Sequence, residues 1–218
     1  MTIPEDAEFL ILPTTVKGAR DVWTITGASG GGKSYIAKQI AEEYKRMWPD
    51  RKVYCLSALG KDSTLDGMRD DRDKRFLKRL DISSFVEEPL EDGDELSGFK
   101  NALVIFDDCE ALHGPQKKEV DKILKSLLTL GRHSGTSVIV CNHQPARGKE
   151  TALLLSESTM FVVFPAAMGY HSLLYLCEHH IGLSKAECAE IRRVPSRWVA
   201  LARSFPRYLL SSNEARVL

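Results

Sequence analysis

The chain has 218 residues, 30 of them basic and 30 acidic, so its formal net charge is zero. That length suits one domain of the larger kind, and the neutral balance offers no global field to attract nucleic acid or a membrane surface, although a local basic patch is compatible with it. No apolar run approaches the ~18 residues that span a bilayer, and the acidic start MTIPEDAEFLILPTT lacks the basic flank of a secretory signal.

In chain order, residues 1–20 read as an N-terminal extension and 21–218 as one domain. Val22–Thr26 is a short strand, and Lys33–Trp48 is a helix stopped by Pro49. Lys52–Ser57 (KVYCLS) is a second strand, rich in β-formers. The segment Gly60–Gly98 carries interleaved charges of both signs and reads as a solvated helix and loop. Ala102–Phe106 (ALVIF) is a continuous apolar run, as a strand covered on both faces requires. Gln116–Leu130 sets Val120, Ile123, Leu124, Leu127 and Leu128 on one helical face, with Gly131 as its stop. Ser137–Cys141 and Met160–Phe164 are further buried strands, the second closed by Pro165. A helix through Leu173–Ile181 ends near Gly182, another covers Ser184–Arg193, and Arg197–Ala202 with Tyr208–Leu210 form a terminal hairpin around Phe205-Pro206. Strands alternating with helices predict an α/β fold: a mostly parallel sheet with helices on both faces.

The five cysteines are an odd number without C-x-x-C spacing, which reads as reduced, buried thiols. Cys177, His179, His180 and Cys188 match none of the common zinc spacings, and the leucines around them suggest an ordinary helix.

Gly27-Ala28-Ser29-Gly30-Gly31-Gly32-Lys33-Ser34 fits G-x-x-x-x-G-K-[ST], placed between a strand and a helix. Glycines let successive backbone N–H groups turn inward as an anion cradle, and the helix start adds its positive dipole end. ATP is therefore the expected ligand, held by residues Gly27 to Ser34 and the adjoining Tyr35. Lys33 reaches the β- and γ-phosphates, and the Ser34 hydroxyl ligates Mg2+. Such a loop implies carboxylates at the end of another buried strand, and NALVIFDDCE supplies them. Asp107 is expected to hold the metal and Asp108 to polarise the attacking water, with Glu110 as the substitute base should Asp108 point away.

If KVYCLS pairs outside the acidic strand, SVIVC lies between that strand and the P-loop strand. This is the additional-strand type of P-loop NTPase. Its end, Asn142-His143-Gln144, then faces the γ-phosphate, and any of the three could serve as a polar sensor. Arg132 follows the expected helix stop without a sequence neighbour to pair with. It reads either as a surface arginine favoured by the helix dipole or as a cation completing a neighbouring subunit's site.

GASGGGKS, ALVIFDD, GRHSGTSVIVCNHQ and RWVALARSFPRYLL together resemble the HerA–FtsK superfamily of DNA-pumping ATPases, most closely the poxvirus-type genome-packaging ATPases of large DNA viruses. The resemblance runs from about Val22 to the C-terminus. It implies a homo-oligomeric ring, pentameric or hexameric, around double-stranded DNA, with Arg132 as a finger acting in trans and His143 or Gln144 as the sensor. It further implies a capsid or portal vertex partner, no membrane segment, and residence in the host cytoplasm, a viral factory or the virion. Gly60–Arg79 and the loop Pro145–Glu150, with Arg147 and Lys149, are the candidate DNA contacts. Two rival readings are a single-strand helicase or loader, and a small-molecule kinase using Arg192, Arg193 and Arg197 as a lid. A non-enzymatic rival is a nucleotide-dependent scaffold.

Overall fold

The computed structural model describes residues 9–16, 18–90, 96–144 and 148–218. Its strands are β1 (Val22–Thr26), β2 (Val53–Ser57), β3 (Leu77–Arg79), β4 (Leu103–Asp107), β5 (Ser137–Asn142), β6 (Met160–Val163), β7 (Val199–Ala202), β8 (Tyr208–Ser211) and β9 (Ala215–Val217). They form one sheet in the order β3-β2-β4-β5-β1-β6-β7-β8-β9. The pairings from β3 to β6 are parallel, and those from β6 to β9 antiparallel. Strand β5 stands between β1 and β4, so the sheet is of the additional-strand type the sequence predicts.

The helices are α1 (Lys33–Met47), α2 (Ile82–Glu87), α3 (Gly114–Ser134), α4 (Lys149–Glu157), α5 (Tyr170–Leu176) and α6 (Lys185–Ile191). Because side chains alternate across a strand, each strand feeds two cores. Trp23, Ile25, Cys55, Ile105 and Ile139 pack beneath Ile36 and Ile40 of α1. On the other face Val104, Phe106, Val138 and Val140 pack beneath Val120, Ile123 and Leu127 of α3. A third cluster joins β6 and β7 to α5 and α6 through Phe161, Leu201, Leu173 and Ile191.

Three expectations are corrected. Helix α3 does not stop at Gly131 but runs to Ser134, where Gly135 takes a left-handed φ of 64° as the cap. Gly131 is glycine for a different reason: the guanidinium of Arg20 crosses the helix there, donating to the carbonyls of Leu127 and Leu128. A Cβ on residue 131 would lie 2.4 Å from Arg20 Nη1. Alanine is ordinarily the better helix former by about 1 kcal/mol, yet Gly131→Ala is expected to lower stability by about 1–2 kcal/mol, because the anchored guanidinium must leave two carbonyls. Thermal melts check this, and in an Arg20→Ala background the same exchange should raise the melting temperature.

Second, Gly60–Gly98 is more than a solvated helix and loop. Leu65 and Met68 are fully buried in the α1-side core, Arg79 pairs with Asp66 at 2.5 Å, and β3 extends the sheet beside β2. Third, the chain past the hairpin adds a further strand, β9, as the sheet's outer edge.

Cys177 and Cys188 are buried in the third core, while His179 and His180 stack on Tyr175 with ring centroids 4.6 and 5.5 Å away. All five cysteines are free thiols. Among the described residues no helix is long and apolar enough to cross a membrane.

Candidate nucleotide-binding site

The carboxyl ends of β1, β4 and β5 meet in one crevice, because their registers align Thr26 with Asn142 and Asp107 with Cys141. Strand β1 ends on Gly27, whose N–H donates to Asn142 O at 3.2 Å, and the glycine-rich turn then delivers the chain into α1. Two glycines are sterically required. Phe164 Cδ2 would stand 2.7 Å from a Cβ on Gly27, and Gly32, at φ 113°, has a backbone that L side chains rarely adopt.

Lys33 opens α1 only 7% exposed. Its Nζ donates to Gly27 O at 3.1 Å and Ala28 O at 3.4 Å, and lies 3.3 Å from His143 Nδ1. An ammonium only donates, so Nδ1 is the acceptor of that contact, and His143 Nε2 lies 3.2 Å from Asp108 Oδ1. The His143 main-chain N–H donates to Glu110 Oε1 at 2.8 Å. Glu110 thus fixes the position of His143, which stands between Lys33 and Asp108. Of the three polar residues ending β5, Asn142 contributes its carbonyl to Gly27, His143 enters the crevice, and Gln144 is exposed.

Asp107 ends β4 on the α1 face, 1% exposed. Ser57 Oγ, across the β2–β4 register, is 3.4 Å from its Oδ2. Burial pushes the Asp107 carboxyl up to about 6, aided by the neighbouring Asp108 and Asp62 and opposed by Arg79 and Lys33. Asp108 follows in a left-handed turn at φ 50°. Its Oδ1 is buried without a hydrogen bond among the described residues, since the His143 ring is close but out of line. A buried carboxylate oxygen left without a hydrogen bond is what a magnesium–water shell would complete. The residues therefore fit Mg2+: the Ser34 hydroxyl and Asp107 would hold it, and it would offset phosphate charge.

Exchanging Asp107 for Asn has an expected consequence for stability. Between pH ~4 and ~6 the native state binds this proton and the unfolded chain does not, so wild-type stability falls as pH rises through that window. Without Mg2+, Asp107→Asn should therefore gain about 2–3 kcal/mol at pH 8 and nothing below pH ~4, where both states are protonated. Equal gains in melting temperature at both pH values would contradict the assignment.

Arg132 lies in the last turn of α3, exposed, and its side chain makes no hydrogen bond or ion pair among the described residues. It is not beyond a helix stop, and it is remote from its own chain's crevice. Helix α3 starts beside the crevice and runs 21 residues away from it, a rise of about 30 Å. Arg197, a lid candidate in the kinase reading, instead supports the loop itself. Its Nε and Nη2 donate to Gly31 O at 3.1 Å and Gly30 O at 3.0 Å, bracing the P-loop from 166 and 167 residues away. Arg192 instead stacks on Tyr170. Arg147 lies outside the described residues, and Lys149 begins α4.

The fold as a whole recurs in solved structures. The genome packaging NTPase B204 from Sulfolobus turreted icosahedral virus 2, in complex with AMP, superposes with a TM-score of 0.56 over 91% of this chain and 96% of that one, at 15% identity. This chain shares the fold of that protein. The same fold extends to the cytoplasmic domain of the Thermomonospora curvata Type VII secretion ATPase EccC, at a TM-score of 0.55 and 12% identity, covering 88% of this chain and 25% of that one. In sequence, an uncharacterized protein of Sputnik virophage, V3, is 28% identical over 221 residues, spanning 100% of this chain and 84% of that protein. No protein-family model matches the chain. In this fold the crevice lies outside the carboxyl ends of β1, β5 and β4, which is where open α/β sheets bind ligands.

Proposed function

We propose that this protein is an ATP-hydrolysing motor that moves double-stranded DNA into a preformed viral capsid. The observation that carries the reading is the meeting of Lys33, His143 and Asp108 in one crevice with the buried Asp107, at the carboxyl edge of an additional-strand sheet. The likeness in fold to a packaging NTPase supports it.

In this mechanism the triphosphate enters the loop amides, and Lys33 leaves the carbonyls of Gly27 and Ala28 for the β- and γ-phosphate oxygens. The Ser34 hydroxyl and Asp107 would hold Mg2+, which would supply neutralisation of phosphate charge. The free oxygen of Asp108 accepts a hydrogen bond from water placed for in-line attack on the γ-phosphorus. His143, released by Lys33 and still tethered through Glu110, turns toward the γ-phosphate and distinguishes ATP from ADP. Arg132 of an adjacent subunit adds the last positive charge to the transferring phosphoryl group. Subunits form a pentameric or hexameric ring with the nucleotide at each boundary. The Gly60–Arg79 segment, joined to β2 and β3 next to Asp107, is placed to pass the change to DNA phosphates, a sequence-independent and salt-sensitive grip. A capsid or portal vertex protein would anchor the ring, and the site of action would be the host cytoplasm, a viral factory or the virion.

The test is ATP turnover with and without long duplex DNA, together with particle mass in solution. Stimulation by duplex and a ring-sized particle support the motor. Preference for single strands indicates a helicase or loader. Phosphorylation of a small acceptor indicates a kinase, and assembly without turnover a scaffold.

A further inference from the structure

A cavity of about 250 Å3 opens against Gly32 on the side of the P-loop away from Asp107 and His143. We propose that it is the nucleobase subsite, closed on one side by Phe9, and that its aromatic side chains set the affinity for ATP over a bare polyphosphate chain. The inference rests on the nucleotide-binding reading and adds where the base goes and what holds it.

Direction comes from the sheet order. Asp107, Asp108 and His143 lie at the carboxyl ends of β4 and β5, to one side of β1, and they mark the γ-phosphate end. A triphosphate threaded through the loop therefore emits its α-phosphate and nucleoside toward β6 and β7, on the other side of β1. The cavity lies there. Its inner walls are Ile36 of α1, Phe164 after β6 and Trp198 before β7, all buried. At its rim Tyr35 is 54% exposed, although its helix neighbours Ile36 and Ala37 are buried. Tyr35 Oη accepts from Gln39 Nε2 at 3.3 Å. This arrangement leaves a polarised aromatic face beside a flat apolar slot, with one amide able to meet a ring nitrogen.

Phe9 completes the wall. Its N–H donates to Ser212 O at 3.1 Å, which ties the N-terminal segment to the turn after β8. Two residues on, Ile11 is buried in the α1-side core. Phe9 and Ile11 are thus seated against the sheet and α1, and Phe9 supplies one face of the slot. Arg197 stands between the slot and the loop, bonded to the carbonyls of Gly30 and Gly31, so its guanidinium is at hand for the ribose or α-phosphate.

The experiment compares binding of a non-hydrolysable ATP analogue and of inorganic tripolyphosphate, both with Mg2+, to the wild type, Tyr35→Ala and Phe9→Ala. Stacking of one base on one aromatic ring corresponds to about five- to hundred-fold in affinity. Each variant should lose at least about five-fold for the nucleotide while its tripolyphosphate affinity stays within about two-fold of wild type. Tyr35 is exposed, so its exchange leaves the core untouched and serves should Phe9→Ala disturb folding. Unchanged nucleotide affinity in Tyr35→Ala, or equal losses for both ligands, overturns the base subsite while the P-loop reading stands. If wild type binds neither ligand, the P-loop reading itself fails and takes the subsite with it.

Discussion

Replacing Lys33 with alanine is expected to lower ATP turnover by about a hundred- to a thousand-fold, the cost of removing one preorganised positive donor from a developing phosphoryl charge. The folded protein should survive the change. Lys33 is 7% exposed and its hydrogen bonds go to two loop carbonyls and the His143 ring rather than to a carboxylate, so its removal breaks no ion pair. The change leaves the carbonyls of Gly27 and Ala28 open to water. Melting temperature should therefore stay within a few degrees of wild type while hydrolysis is lost. Arginine is no substitute: the planar guanidinium needs more width than the ammonium it replaces, and Phe164 closes the space beneath the loop. A Lys33→Ala protein that still hydrolyses ATP at more than a tenth of the wild-type rate would remove the loop from the chemistry.

The second large effect concerns subunits in combination. Arg132→Ala is expected to cost about a thousand-fold or more in turnover, the range of an arginine finger, and Asp108→Asn a comparable amount through loss of the water-polarising oxygen. Since α3 carries Arg132 away from its own crevice, the two lesions fall in different halves of a composite site. Mixing the variants should restore activity, because at some boundaries an intact Arg132 meets an intact Asp108. Measured against mixing ratio, turnover should pass through a maximum near equal amounts. A flat response, with ring assembly preserved by mass measurement, would place Arg132 outside the site.

What the sequence made legible was local. The P-loop is one contiguous stretch whose glycines, lysine and serine each have a backbone or charge reason to be there. The inserted position of SVIVC was expected on the condition that KVYCLS pairs outside the acidic strand, and the sheet has both, β2 outside β4 and β5 between β4 and β1. The losses were all long-range. Gly131 looks like a helix terminator because its true reason, Arg20, stands 111 residues earlier in the chain. Leu65 and Met68 sit in a charge-rich stretch whose average polarity hides two core side chains. Arg197 braces the loop through main-chain carbonyls, which leave no mark in composition or spacing. His143 could not be told from Asn142 or Gln144 by residue type. The strand pleat decides it, since only every second residue of β5 shares the α1 face with Asp107.

Helix α3 is unbroken through Gly131, and this has a mechanical consequence. A stiff rod rooted beside Glu110 and tipped by Arg132 has no hinge at which a displacement could be absorbed. In a closed ring with Arg132 in trans, that rod would reach from one catalytic pocket to the next, and tilting its root would swing its tip. Firing order around the circle would then be a property of leverage in a single helix, with each subunit cocking or releasing the one beside it.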